Sequence, residues 1–92
     1  MKQPTVYIIT DDEKSALYIG VTNTLTQRMY QHKNKEISGA GADGDLDKLV
    51  YFEQYGTMEA AILREKMLNE WQRKCKDKLI AEQNPKWRDL YP

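Results

Sequence analysis

The sequence of 92 residues predicts a small α+β fold, a three-stranded antiparallel or mixed sheet flanked by helices in the order ββαβαα. Three observations carry this. Two β-branched and aromatic runs stand so close together that only a hairpin can join them. Two later segments repeat apolar side chains at helical spacing behind residues suited to cap a helix. The chain is also short enough to bury only about 60–65% of its unfolded surface, so it cannot fill two cores, and residues 1–92 read as one domain.

Thr5 to Thr10 and Ala16 to Val21 are the hairpin strands, and Asp11-Asp12-Glu13-Lys14-Ser15 is the charged turn between them. Asn23 or Thr24 caps a helix reaching about Asn34, with Leu25, Arg28, Met29 and His32 on one stripe. Residues 35–47, rich in Gly, Ala, Asp and Ser, carry no periodic pattern and read as a loop. Leu49 to Tyr55 is the third strand. Thr57 caps a helix of about fourteen residues, with Met58, Ala61, Ile62, Glu65 and Leu68 on one face. The chain bends at Trp71 to Lys74 and forms a short helix through Lys76, Leu79, Ile80 and Glu82. Asn84-Pro85 ends that helix, because the residue before proline avoids the α region. The tail from Trp87 to Tyr91 packs back through its aromatic residues.

Composition excludes several classes. No apolar run approaches the ~18 residues of a membrane span, so no membrane contact is expected and the cytoplasm is the expected location. The single Cys75 forms no intrachain disulfide, and no Cys/His pair has zinc spacing. Fourteen basic residues balance fourteen acidic ones, unlike the basic excess usual in nucleic-acid binders. The balance is uneven, however: +2 over residues 1–35, −5 over 36–60 and +3 over 61–92.

Arg28, His32 and Glu65 interrupt stripes that otherwise face inward, and a charge buried without a partner is costly. With Tyr7 and Tyr18, each central in a hairpin strand, they can furnish phenols, a guanidinium, an imidazole and a carboxylate for one cleft. The structural alternative is an Arg28–Glu65 ion pair, tyrosines that only fill the core, and His32 as a wet helix end.

Val6-Tyr7-Ile8, then Leu17-Tyr18-Ile19-Gly20, Arg28, His32 and Arg64-Glu65 resemble the GIY-YIG nuclease superfamily, in its small single-domain, excinuclease-like bacterial branch. Asn84-Pro85-Lys86-Trp87-Arg88-Asp89-Leu90-Tyr91 resembles that branch's tail. The resemblance implies a metal-dependent endonuclease acting on DNA phosphodiesters in DNA repair. Tyr7, Tyr18, Arg28, His32 and Glu65 would be its catalytic residues, with Glu65 as the ligand of Mg2+ or Mn2+. One carboxylate suffices for such an ion, which retains waters and takes substrate phosphate. Two bases compete: Tyr18, if a cation lowers its pKa from ~10, and His32, neutral at pH 7 by default. The implied partners are branched or single-stranded DNA and a targeting protein, the chain itself being a monomer or weak dimer.

Gly39 to Asp47 stands where the family carries an aromatic and basic stretch, and its three aspartates would repel a phosphate backbone. The alternative function is therefore a nucleic-acid or protein binding module of the same fold with little or no nuclease activity. Asp43-x-Asp45-x-Asp47 is not a calcium loop, because Lys48 and Gln54 occupy its glycine and bidentate-glutamate positions. Arg73, Lys74, Lys76 and Lys78 read as a solvated basic face, and Cys75 as a structural thiol.

Overall fold

The computed structural model describes residues 2–34 and 46–91. It contains strands β1 (Thr5–Thr10), β2 (Leu17–Thr22) and β3 (Lys48–Gln54) and helices α1 (Leu25–Lys33), α2 (Met58–Asn69) and α3 (Arg73–Gln83), in the predicted order ββαβαα. The sheet runs β2-β1-β3 and both pairings are antiparallel, which resolves the antiparallel or mixed alternative. β1 is central and all six of its residues are buried, because both faces of the sheet are covered.

Alternation along β1 divides the core. Val6 and Ile8 join Ile19, Val50, Tyr51, Ala61, Leu68 and Ile80 on the face covered by α2 and α3. Tyr7 and Ile9 join Met29, Leu46 and Leu49 on the face covered by α1. A register shift between Ile8 and Ile9 lets Val50 and Tyr51 both belong to the first cluster.

The hairpin turn is organised by Asp11, whose carboxylate accepts the Ser15 N–H at 2.7 Å and the Ser15 hydroxyl. Those bonds hold the Asp11 carboxyl below its usual range. β2 begins and ends one residue later than expected. The ladder extends to a Thr5–Thr22 pair, and Ala16 instead accepts the Thr10 hydroxyl in the turn. The break before α3 is confined to Glu70–Gln72, since the Gln72 carbonyl already accepts the N–H groups of Cys75 and Lys76. Cys75 is exposed on α3, contrary to the expected structural thiol.

The tail closes the outer edge of β3. Leu90 donates to the Leu49 carbonyl at 2.7 Å, while the Asp89 carboxylate accepts the Leu49 N–H. Asn84 donates to the Val50 carbonyl, and Gln83 exchanges hydrogen bonds with Phe52. Asp89 also pairs with Lys33, which ties the tail to the end of α1. Trp87 packs on the α2 side and Leu90 and Tyr91 on the α1 side, so the expected aromatic packing of the tail holds. Of the acidic stretch, residues 39–45 lie outside the described residues; Leu46 is buried beneath α1 and the Asp47 carbonyl accepts Lys33. Among the described residues no helix is long and apolar enough to cross a membrane.

Candidate active site

Tyr7 points from the middle of β1 toward α1, and the residue opposite it in β2 is Gly20. A Cβ at position 20 would lie 2.6 Å from the Tyr7 hydroxyl, 2.7 Å from its Cζ and 2.9 Å from Tyr18 Cε2. The glycine is thus the space into which the Tyr7 ring lies down, next to Tyr18 on the same face.

His32 descends from the last turn of α1 and completes a triangle of rings. Centroid separations are 6.3 Å for Tyr7–Tyr18, 5.8 Å for Tyr7–His32 and 6.0 Å for Tyr18–His32, all tilted. The Tyr7 hydroxyl lies 3.0 Å from His32 Nε2, a buried hydrogen bond. Burial pushes the Tyr7 phenol up to about 12, with Tyr18 adding to the rise and Arg28 opposing it. Burial also pushes His32 below its ordinary value, and the Arg28 guanidinium lowers it further. At neutral pH the pair is therefore a protonated phenol and an uncharged imidazole, so Tyr7 can donate and Nε2 can accept. Arg28, half-buried one turn before His32, supplies the positive charge beside them and forms no ion pair among the described residues.

Glu65 stands apart. It is half-buried on α2, which packs on the opposite face of the sheet, chiefly against β2 and β1. Its carboxylate accepts the Asn69 amide and makes neither an ion pair with Arg28 nor a hydrogen bond to Tyr7, Tyr18 or His32. The structural alternative of an Arg28–Glu65 pair is absent. No group of three or more His, Cys, Asp and Glu is disposed to hold a metal among the described residues. A carboxylate with no ion pair among the described residues nonetheless fits a hard divalent ion that keeps most of its waters.

The neighbouring residue forms a network that sequence reading missed. Arg64 clamps Glu53 on β3 with two bonds of 2.9 Å, Nε to Oε1 and Nη2 to Oε2. Tyr51 and Tyr55 donate their hydroxyls to the same carboxylate, Tyr55 at 2.6 Å, and the Arg64 guanidinium lies 5.3 Å from the Trp71 ring centre. Burial raises the Glu53 carboxyl, but the bonds from Arg64, Tyr51 and Tyr55 outweigh it and leave the group below its usual value. The available signal was period two: Tyr51 and Glu53 alternate along β3 and Tyr55 continues the spacing one residue past its end, so the three project to one side.

The sequence model of the GIY-YIG catalytic domain matches residues 3–79. The chain belongs to the GIY-YIG family. The match spans every strand, α1, α2 and most of α3, and the α+β architecture agrees with it. Neither the curated proteins nor the solved structures gave a match. A GIY-YIG catalytic domain is of the nuclease type, for which nucleic acid is the substrate class and a divalent metal the usual cofactor. Tyr7 and Tyr18 of the two tyrosine motifs are diagonal neighbours on one face of the β1–β2 hairpin, with α1 bringing Arg28 and His32 onto them.

Proposed function

We propose that this GIY-YIG domain is a metal-dependent endonuclease that hydrolyses DNA phosphodiester bonds. The observation that carries the reading is the hydrogen bond between Tyr7 and His32 inside the ring triangle, with Arg28 beside it. A phenol raised to about 12 is a poor base on its own. Bonded to a neutral imidazole, it can take a proton from the attacking water while passing its own to His32 Nε2, so His32 ends the relay as the protonated group. Tyr18 orients the water or a phosphate oxygen, and Arg28 neutralises charge developing on the phosphate. Glu65 lies on the helix that packs chiefly against β2, the edge strand that carries Tyr18, and would hold the divalent cation, magnesium or manganese, at that edge; once bound, the ion would supply further neutralisation and acidify water. The same reading takes branched or single-stranded DNA as substrate, repair in the cytoplasm as context, and a monomer or weak dimer with a targeting protein as the working form.

The test is cleavage of labelled single-stranded, duplex, flap and branched DNA with magnesium or manganese, wild type beside Glu65→Gln. Metal-dependent cutting that the variant loses is the expected result. A folded wild type that cuts none of them would sink the nuclease reading in favour of a binding module of the same fold.

A further inference from the structure

A groove of about 540 Å3 lies on the α1 side of the sheet, between the start of α1, β3 and the end of the tail. None of Tyr7, Tyr18, Arg28, His32 and Glu65 lines it. It adjoins the Tyr7 cluster all the same. Phe52 in its wall pairs with Tyr7 across the β1–β3 ladder, and Thr5 lies on the same strand face as Tyr7. Met29, next to Arg28, forms part of its floor.

The chemistry of the lining is selective. Among the described residues no Asp or Glu contributes to it, and Lys2 adds a positive charge. The first turn of α1, which opens into the groove, is likewise free of acidic residues. Phe52 and Tyr91 present rings, and the amides of Asn23, Gln27 and Gln54 present donors and acceptors. Rings and amides beside an acid-free wall suit a nucleobase with its phosphate, and the volume falls within the ~300–1,000 Å3 of small-ligand sites.

We propose that this groove seats one nucleotide of a single nucleic-acid strand flanking the bond to be cut, its base against Phe52 and Tyr91. The inference rests on the nuclease reading for the direction in which the strand continues, toward Tyr7. Gln27 is exposed and its side chain makes no hydrogen bond among the described residues, so a charge of either sign can be placed there without disturbing the fold.

The test measures binding of a short fluorescent single-stranded oligodeoxynucleotide by anisotropy, in EDTA and across a salt series. Gln27→Glu should weaken binding about fivefold and Gln27→Lys strengthen it similarly, the size of one exposed charge contact at ~4 Å in water. Phe52→Leu, which keeps the apolar packing and removes the ring, should weaken binding about tenfold. Lys74→Glu on α3, which packs on the other face, should change it less than Gln27→Glu. Affinity indifferent to Gln27 and Phe52, a larger effect at Lys74, or no binding by wild type at low salt overturns the proposal. Cleavage is scored separately with magnesium or manganese. Groove-dependent binding without cutting leaves the groove as a nucleic-acid site and removes the nuclease reading; cutting with groove-independent binding does the reverse.

Discussion

The Tyr7 hydroxyl and His32 Nε2, 3.0 Å apart, join the centre of the middle strand to the last turn of α1, with the Tyr7 ring part of the core cluster on that face. Tyr7→Phe keeps the ring and leaves the imidazole nitrogen without its partner. The expected cost is about 1–3 kcal/mol in urea unfolding, with DNA cleavage falling far more than that loss of stability explains. An unfolding midpoint equal to wild type would show that solvent replaces the bond.

Stability should depend on pH through the same histidine. Its folded pKa lies below the unfolded value of ~6.5, so between the two the unfolded chain binds more protons. The contribution is complete above about pH 7 and is lost as pH falls through that window. Thermal melts should therefore rise as pH approaches 7 from the acid side and level off above it, and His32→Gln should flatten the rise. Asp11, Glu53 and Asp89, whose carboxyl groups are held low, contribute stability that is lost only at more acidic pH, below their ordinary range near ~4. A wild-type curve as flat as that of the variant over this range would contradict the depressed histidine.

Gly20→Ala tests the packing of the two tyrosines. The added methyl would sit within 2.6 Å of the Tyr7 hydroxyl and within 2.9 Å of the Tyr18 ring, and the Tyr7 ring is buried with no free direction of retreat. A loss of about 1–3 kcal/mol is expected, accompanied by displacement of the His32 ring signals in NMR spectra. Unchanged ring signals would mean that the strand shifts and the rings stay in place.

Arg28→Ala and Arg64→Ala should separate chemistry from architecture. Arg28 makes no ion pair among the described residues, so its loss should leave the melting temperature close to wild type while cleavage falls by roughly 10²–10³. Arg64→Ala strands Glu53 with two phenols and no cation, and should cost about 2–3 kcal/mol of stability. Melting temperatures that rank the two variants the other way would reverse these roles.

Element order and most boundaries were legible because α1 and α2 begin behind a threonine and each strand is a run rich in β-branched or aromatic residues. The Thr57 hydroxyl does accept the Ala60 N–H, as a capping residue should. Tyr7, Tyr18, Arg28 and His32 could be brought together on paper, since a hairpin puts alternate residues on one face and helical spacing aligns the other two. Glu65 could not be assigned to either side of the sheet, because nothing local says which face a helix covers. Glu53, and the packing role of Gly20, escaped notice for a similar reason. Their significance lies in partners 11 and 13 positions away, Arg64 and Tyr7, and sequence spacing does not encode such contacts.

The cover over β3 bears on aggregation. An uncovered strand edge is a template on which another chain can add a strand, and Leu49, Val50 and Phe52 sit in an apolar, strongly β-forming segment. Their edge groups are occupied by Gln83, Asn84, Asp89 and Leu90, so strand addition at β3 first requires the tail to peel away. A chain shortened before Asn84 should thus precipitate or form thioflavin-positive material at concentrations where the full chain stays clear, even if its catalytic residues are untouched.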